Sequence, residues 1–186
     1  MNRLALAFAL TSLLASTAQA VEYNQLQADK SSIAFSYSQM GVSMDGQFRK
    51  FASQLSFDPA QVAKAKLAVD VDLASIDTGA PELDTEATGR DWFNIRSFPT
   101  ARFVAASVKP LGGNRYSVAG KLTIKGRTKD IVVPATFTPQ GNAGVFAGSF
   151  TIRRGDFSIG EGAWSAFDIV ANDVQVRFRL TASSRK

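Results

Sequence analysis

Two absences limit the chemistry open to this chain: its 186 residues contain no histidine and no cysteine. The commonest metal ligands and the Ser-His and Cys-His nucleophile pairs are therefore missing. What remains is Asp, Glu, Lys, Tyr and Ser. Asp70 and Asp72 stand two residues apart, the spacing that puts side chains together on one face of a strand. A carboxylate pair there would suit acid–base work or Ca²⁺, but no further acids follow at EF-hand spacing. A solvated strand face is the simpler reading. Asp77, Asp91 and Asp156, placed near loops, are better candidates for a carboxylate-dependent reaction. Arg90, Arg153 and Arg154 are the cations that could meet an anionic group, although a surface charge accounts for each. The pattern calls for no cofactor and no metal, and the chain does not read as an enzyme.

The elements that must position these residues are mostly strands. Val174, Val176, Phe178 and Leu180 share one parity, and Asp173, Gln175, Arg177 and Arg179 the other. Such period-two alternation marks a sheet with one dry and one wet face. The same pattern puts Ile33, Phe35 and Tyr37 on one face over 32–38, and Leu67, Val69, Val71 and Leu73 over 66–74. It recurs in Tyr116, Val118, Gly120, Leu122 and Ile124, in Ile131, Val133, Ala135 and Phe137, and in Phe146, Gly148, Phe150 and Ile152. Pro134 lacks an N–H and predicts an edge strand or bulge for 128–138. Pro81, followed by Glu82 and Asp84, predicts one helix over 81–93. A Gly-rich excursion over 155–171 carries Phe157, Ile159, Trp164 and Phe167. Eight to ten strands joined by short turns predict an antiparallel sandwich or barrel, with one helix inserted. A barrel of about eight strands is wide enough either to be filled by side chains or to hold one small ligand. The pattern leaves that choice open.

Bulk properties add a location. Arg3, the apolar run Leu4–Leu14 and the small-residue site Ala18-Gln19-Ala20 predict a cleaved secretory signal peptide over 1–20. A 166-residue β-domain over 21–186 would follow. An exported chain without cysteine relies on its core alone and suits a bacterial periplasm. Residues 21–100 carry seven Lys/Arg and eleven Asp/Glu, against thirteen and five over 101–186. The basic residues alternate with apolar ones and form no dense run, so a nucleic-acid partner is not expected. A weak attraction to anionic lipid headgroups, and a homodimer that covers a strand edge, are associations the chain would allow.

Several segments in order carry a family resemblance. Asp29-Lys30-Ser31-Ser32-Ile33-Ala34-Phe35, then Met40-Gly41 and Gly46-Gln47-Phe48-Arg49-Lys50-Phe51, resemble the N-terminal signature of the YceI-like family. Ser75-Ile76-Asp77-Thr78-Gly79 resembles its exit from strand to helix. Arg90-Asp91-Trp92-Phe93-Asn94 and Phe98-Pro99-Thr100-Ala101-Arg102-Phe103 resemble its helix end and next strand. Gly120-Lys121-Leu122-Thr123-Ile124-Lys125-Gly126 resembles its central hairpin. Arg154-Gly155-Asp156-Phe157-Ser158-Ile159-Gly160 and Val170-Ala171-Asn172-Asp173-Val174 resemble its C-terminal signature.

This resemblance implies an extended lipocalin-like antiparallel β-barrel with a helical insertion. It also implies a non-enzymatic periplasmic carrier or reservoir for an isoprenoid-type amphiphile, such as a quinone or polyprenyl phosphate. Family members often carry histidine near 31–40 and just before Trp92. Their absence here shifts polar recognition toward Tyr37, Gln39 or Arg90. The dry parity then supplies the expected ligand-binding residues Ile33, Phe35, Tyr37, Leu67, Val69, Val71, Val118, Leu122, Phe137, Phe150, Ile152, Val174, Val176 and Phe178. Phe157 and Trp164 are expected at the mouth, and Arg90, Arg153 and Arg154 at the headgroup. The alternatives are a carboxylate-dependent enzyme acting on a bound lipid, and an envelope interaction or stress protein with a filled barrel.

Overall fold

The computed structural model describes residues 21–184; the expected signal peptide lies outside them. The strands are β1 (Tyr23–Leu26), β2 (Ser32–Gln39), β3 (Val42–Phe48), β4 (Phe51–Ser56), β5 (Lys66–Asp72), β6 (Ile76–Asp77), β7 (Thr100–Gly112), β8 (Arg115–Ile124), β9 (Arg127–Gln140), β10 (Ala143–Arg153) and β11 (Val170–Ser184). One α-helix, α1 (Pro81–Thr88), sits between β6 and β7. The main sheet runs β4-β5-β7-β8-β9-β10-β11-β2-β3-β6, and every pairing is antiparallel.

The connections require this sheet to curl. β3 and β4 lie near opposite ends of the strand order, yet only Arg49 and Lys50 separate them. Two residues span less than 10 Å or so, so the two ends of the sheet must meet. The meeting point is knitted by Arg49 N–H donating to the Ser75 carbonyl and Asp72 N–H to the Lys50 carbonyl, both at 3.0 Å. At the far end β1 pairs with β11 and also exchanges two hydrogen bonds with Phe57, just beyond β4. The result is a strongly curled half-barrel with its dry parity inside.

Pro134 does not lie on an edge strand. β9 is flanked by β8 and β10, and Pro134 is in register with Ser117 of β8. However, the β9–β10 ladder runs only from Ala143–Gln140 to Gly148–Ala135. Pro134 is the first residue past it, where a missing N–H breaks no ladder bond. Beyond that point β9 and β10 part. Phe157 joins Leu122 and Ile124 in one buried apolar cluster, against which Ile131, Phe150 and Ile152 pack.

The helix is shorter than predicted. It ends at Thr88, and the chain continues through turns to Phe98. Gly89 breaks the helical run, and Asn94, at φ 50°, occupies the left-handed region that Asn tolerates. Phe93 N–H donates to the Ala87 carbonyl and Asn94 N–H to that of Gly89, so the segment is compact without being helical.

Candidate functional site

The half-barrel encloses a cavity of about 280 Å³ whose walls are almost all carbon. β2 contributes Ile33, Phe35 and Tyr37; β5 contributes Leu67, Val69 and Val71. Val118 and Leu122 come from β8, Phe150 and Ile152 from β10, and Val174, Val176 and Phe178 from β11. These are thirteen of the fourteen side chains expected from strand parity, and the curl brings them around one space together with Trp164, one of the two expected at the mouth. The register explains the convergence. Val174, Val176 and Phe178 face Tyr37, Phe35 and Ile33 across the β11–β2 pair, and Val176 faces Phe150 across β10–β11.

Phe137 and Phe157 do not line the cavity. Phe137 is 3% exposed and belongs to an aromatic cluster with Tyr23, Phe57, Tyr116 and Phe146, at centroid distances of 4.8–5.4 Å. That cluster closes the β1 end of the barrel. Phe157 is 2% exposed, buried between sheet and excursion rather than at a mouth. Small residues make room for the rings. A Cβ on Gly144 would meet Phe137 at 2.2 Å, and one on Gly46 would meet Phe35 at 2.4 Å.

The opposite end carries the polar rim. Tyr37, Gln39, Thr78 and Glu86 line it, with Leu83 and Ala87 from α1 and Trp92 and Trp164 from the flanking turns. Trp164 Nε1 donates to Glu86 Oε1 at 2.8 Å, which ties the 155–171 excursion to α1 across the rim. Asp84 accepts from the N–H and Oγ1 of Thr78 at 2.8 and 2.7 Å. Burial, with Asp84 nearby as the smaller cause, raises the Tyr37 phenol above its usual range. Tyr37 is therefore a neutral hydroxyl at the edge of an apolar chamber.

The three arginines expected at the headgroup part company. Arg90 is exposed and does not line the cavity. Arg153 lies on the outer parity, where Nη2 meets Asp156 at 3.1 Å. Arg154 is 1% exposed and touches the cavity lining, but its donors are spent on backbone. Nε donates to the carbonyls of Val170 and Ala171, both at 3.2 Å. Nη1 donates to Ile159 and Gly160, and Nη2 to Trp164, Ala166 and Val170, at 2.8–3.1 Å. The rings of Phe167 and Trp92 lie 4.8 and 5.6 Å from its guanidinium carbon. Burial lowers its pKa. Arg154 thus anchors the Gly-rich excursion. A Cβ at Gly160, φ 78°, would fall 2.1 Å from Nη1, so the glycine is required both by space and by backbone.

Lys125 supports the same loop. It occupies a left-handed position, φ 47°, in the β8–β9 turn, and its side chain is 6% exposed. Nζ donates to the Ser158 carbonyl at 2.7 Å and to Glu161 at 2.9 Å. Hydrogen bonding to Lys125 holds the Glu161 carboxyl below its usual range.

The candidate acids are dispersed. Asp70 accepts both contacts from Arg102 Nη1, and Asp72 accepts the Ala74 N–H. Asp77 accepts from Gln47 and Arg49, which lower its pKa. Asp91 is exposed, and Asp156 pairs with Arg153. None of the five lines the cavity. Among the described residues no group of three or more acids is arranged to hold a metal ion.

Fold and site together define a lipocalin-like antiparallel half-barrel built around an apolar chamber. Residues 25–182 match the YceI-like domain, and the chain belongs to that family. A UPF0312 protein of Pseudomonas fluorescens is 38% identical over 138 residues, covering 67% of this chain and 69% of that protein. Burkholderia cenocepacia BcnA, a crystal structure, is 38% identical and superposes with a TM-score of 0.83 over 86% of this chain and all of that one. A polyisoprenoid binding domain from Saccharophagus degradans, implicated in plant cell wall breakdown, shares the fold. Its TM-score is 0.71 at 16% identity, over 89% of this chain and 99% of that one.

Proposed function

We propose that this protein is a non-enzymatic carrier or reservoir for an isoprenoid-type amphiphile, working in the periplasm after loss of residues 1–20. The observation that carries the proposal is the carbon-walled chamber of about 280 Å³, closed by aromatics at one end and rimmed by polar groups at the other. Membership of the YceI-like family supports it, as does the shared fold of a domain described as polyisoprenoid-binding.

The rim favours an amphiphile with a neutral polar head, a quinone or alcohol, over a polyprenyl phosphate. Arg154 and Lys66 are the cations among the lining residues. Arg154 is saturated by carbonyls, and Lys66 lies at the aromatic end, where β5 begins beside β4. The polar rim instead offers Tyr37, Gln39 and Thr78, with the carboxylate of Glu86 alongside. An anionic head there would meet a like charge and find no free cation.

Each buried methylene is worth about 0.8 kcal/mol, so a five-carbon unit contributes about 4 kcal/mol at most. A few units would reach the practical ceiling of about −20 kcal/mol, so ordering and desolvation must offset much of this gain. Such a chamber selects chain length and width, and leaves the head to weak hydrogen bonds. Trp92 and Trp164, the chain's two tryptophans, both line the chamber, so their fluorescence reports occupancy directly. Titration with a prenol and the matching prenyl phosphate should give saturable quenching, tighter for the prenol. No response to either would refute the proposal, and tighter binding of the phosphate would refute the neutral head.

A further inference from the structure

We infer that the rim of this chamber docks on the apolar interior of a lipid bilayer through two loop tips, Met40–Val42 and Phe167–Ile169. The inference rests on the lipid-carrier reading, and adds to it the surface through which the chamber would fill and empty.

Four of the eight large apolar side chains exposed among the described residues gather here. Met40 is 77% exposed, Val42 60%, Phe167 49% and Ile169 37%. Isolated exposed apolar residues need no explanation, but a contiguous group does. The two tips are joined by backbone: Met40 N–H donates to the Ile169 carbonyl at 2.7 Å, Val170 is in register with Gln39, and Gln39 with Val42. Gln39 and Val170 themselves line the chamber, so the exposed group continues its wall outward.

Charge identifies the partner. The segments 38–44 and 162–172 hold one charged residue, Asp168, in a chain that is 20% charged. Asp168 Oδ1 accepts the Ile169 N–H at 3.0 Å. Surface loops are normally polar, as a protein-binding rim would be, and here the carboxylates of Asp45, Glu161 and Asp173 flank the two segments without entering them. Apolar tips that carry a single carboxylate between them, with one of its oxygens already held by backbone, fit the edge of the hydrocarbon, where each further charge is penalised. Docking there would let an apolar chain pass from bilayer to chamber without crossing water. It would also be insensitive to salt, unlike attraction to anionic headgroups.

The test is co-sedimentation of the full mature chain with phosphatidylcholine vesicles at low and high salt. The expected result is binding unchanged by salt, weakened about tenfold or more in Met40→Asp and in Ile169→Asp. A short prenol delivered from cyclodextrin, followed by tryptophan fluorescence, should bind both variants as it binds the wild type. That arm separates the two ideas: loss of prenol binding in the wild type removes the carrier reading, whereas retained prenol binding without vesicle binding removes the docking surface. Vesicle binding confined to anionic lipid and abolished by salt would also overturn the inference. So would a concentration-dependent dimer, abolished by the same substitutions, in the absence of vesicle binding.

Discussion

Replacing Arg154 with Met should destabilise the fold more than almost any other single change. The side chain is 1% exposed and makes seven hydrogen bonds to six backbone carbonyls. Its five N–H groups share these contacts, so at a net 0.5–1.5 kcal/mol per donor a simple sum would be about 2.5–7.5 kcal/mol. The loop can relax and admit water to some carbonyls, so about 3–5 kcal/mol is the realistic loss, comparable to breaking a buried ion pair. For a domain of this size that is a fall in Tm of about 6–20 °C. Urea denaturation followed by near-UV circular dichroism would measure it. Arg154→Lys keeps the charge but has three donors on one nitrogen, which cannot reach carbonyls spread from Ile159 to Ala171. It should recover less than half of the loss. A Met variant within about 1 kcal/mol of wild type would refute the view that this guanidinium organises the excursion.

Other perturbations separate a chamber from a packed core. Val176→Trp should lower prenol affinity about tenfold while changing stability by less than about 1 kcal/mol; a filled interior would instead lose about 1–3 kcal/mol, measurable by the same denaturation. Lys125→Met leaves the Ser158 carbonyl without its donor, so a loss of about 1–3 kcal/mol is expected by thermal denaturation. Trp164→Phe removes the tie to Glu86 at the rim and should speed prenol release in stopped-flow displacement, with little change in Tm. Asp77 has its folded pKa depressed below 3.8, first by Gln47 and then by Arg49. Its contribution is therefore fully present above pH 3.8 and is lost as pH falls through the folded value. The stability difference between wild type and Asp77→Asn should stay constant above about pH 5 and shrink below pH 3.8, as denaturation at a series of pH values would show.

Much of the site was legible because a strand writes its burial into alternate residues. Val174, Val176 and Phe178 declare one face, and so do Val118 and Leu122. Once the sheet curls, a shared parity becomes a shared interior. β8 begins and ends where Arg115 and the turn at Lys125-Gly126 predict. Parity cannot say how far along the axis a residue sits. That is why Phe137, on the right face, belongs to the aromatic plug rather than to the chamber wall. Sequence pattern extends the helix through Trp92 and Phe93, but their apolar character comes from chamber and core contacts and not from a helical stripe. In sequence Arg154 resembles a headgroup cation, because its partners are backbone carbonyls, which no side-chain pattern announces. Two adjacent arginines look alike in sequence, and strand parity sends Arg153 outward and Arg154 in. Nothing in the sequence marks the Met40 and Ile169 tips as a unit, since 128 residues separate them until β2 and β11 pair.

Native mass spectrometry of the protein purified from its own host under gentle conditions would show what the chamber holds. A carrier of isoprenoid amphiphiles should give an adduct that dissociates to a neutral-headed lipid with masses spaced by isoprene units. Val176→Trp should carry less of that lipid. A protein that arrives empty, and whose tryptophans ignore added prenol, would contradict the carrier reading.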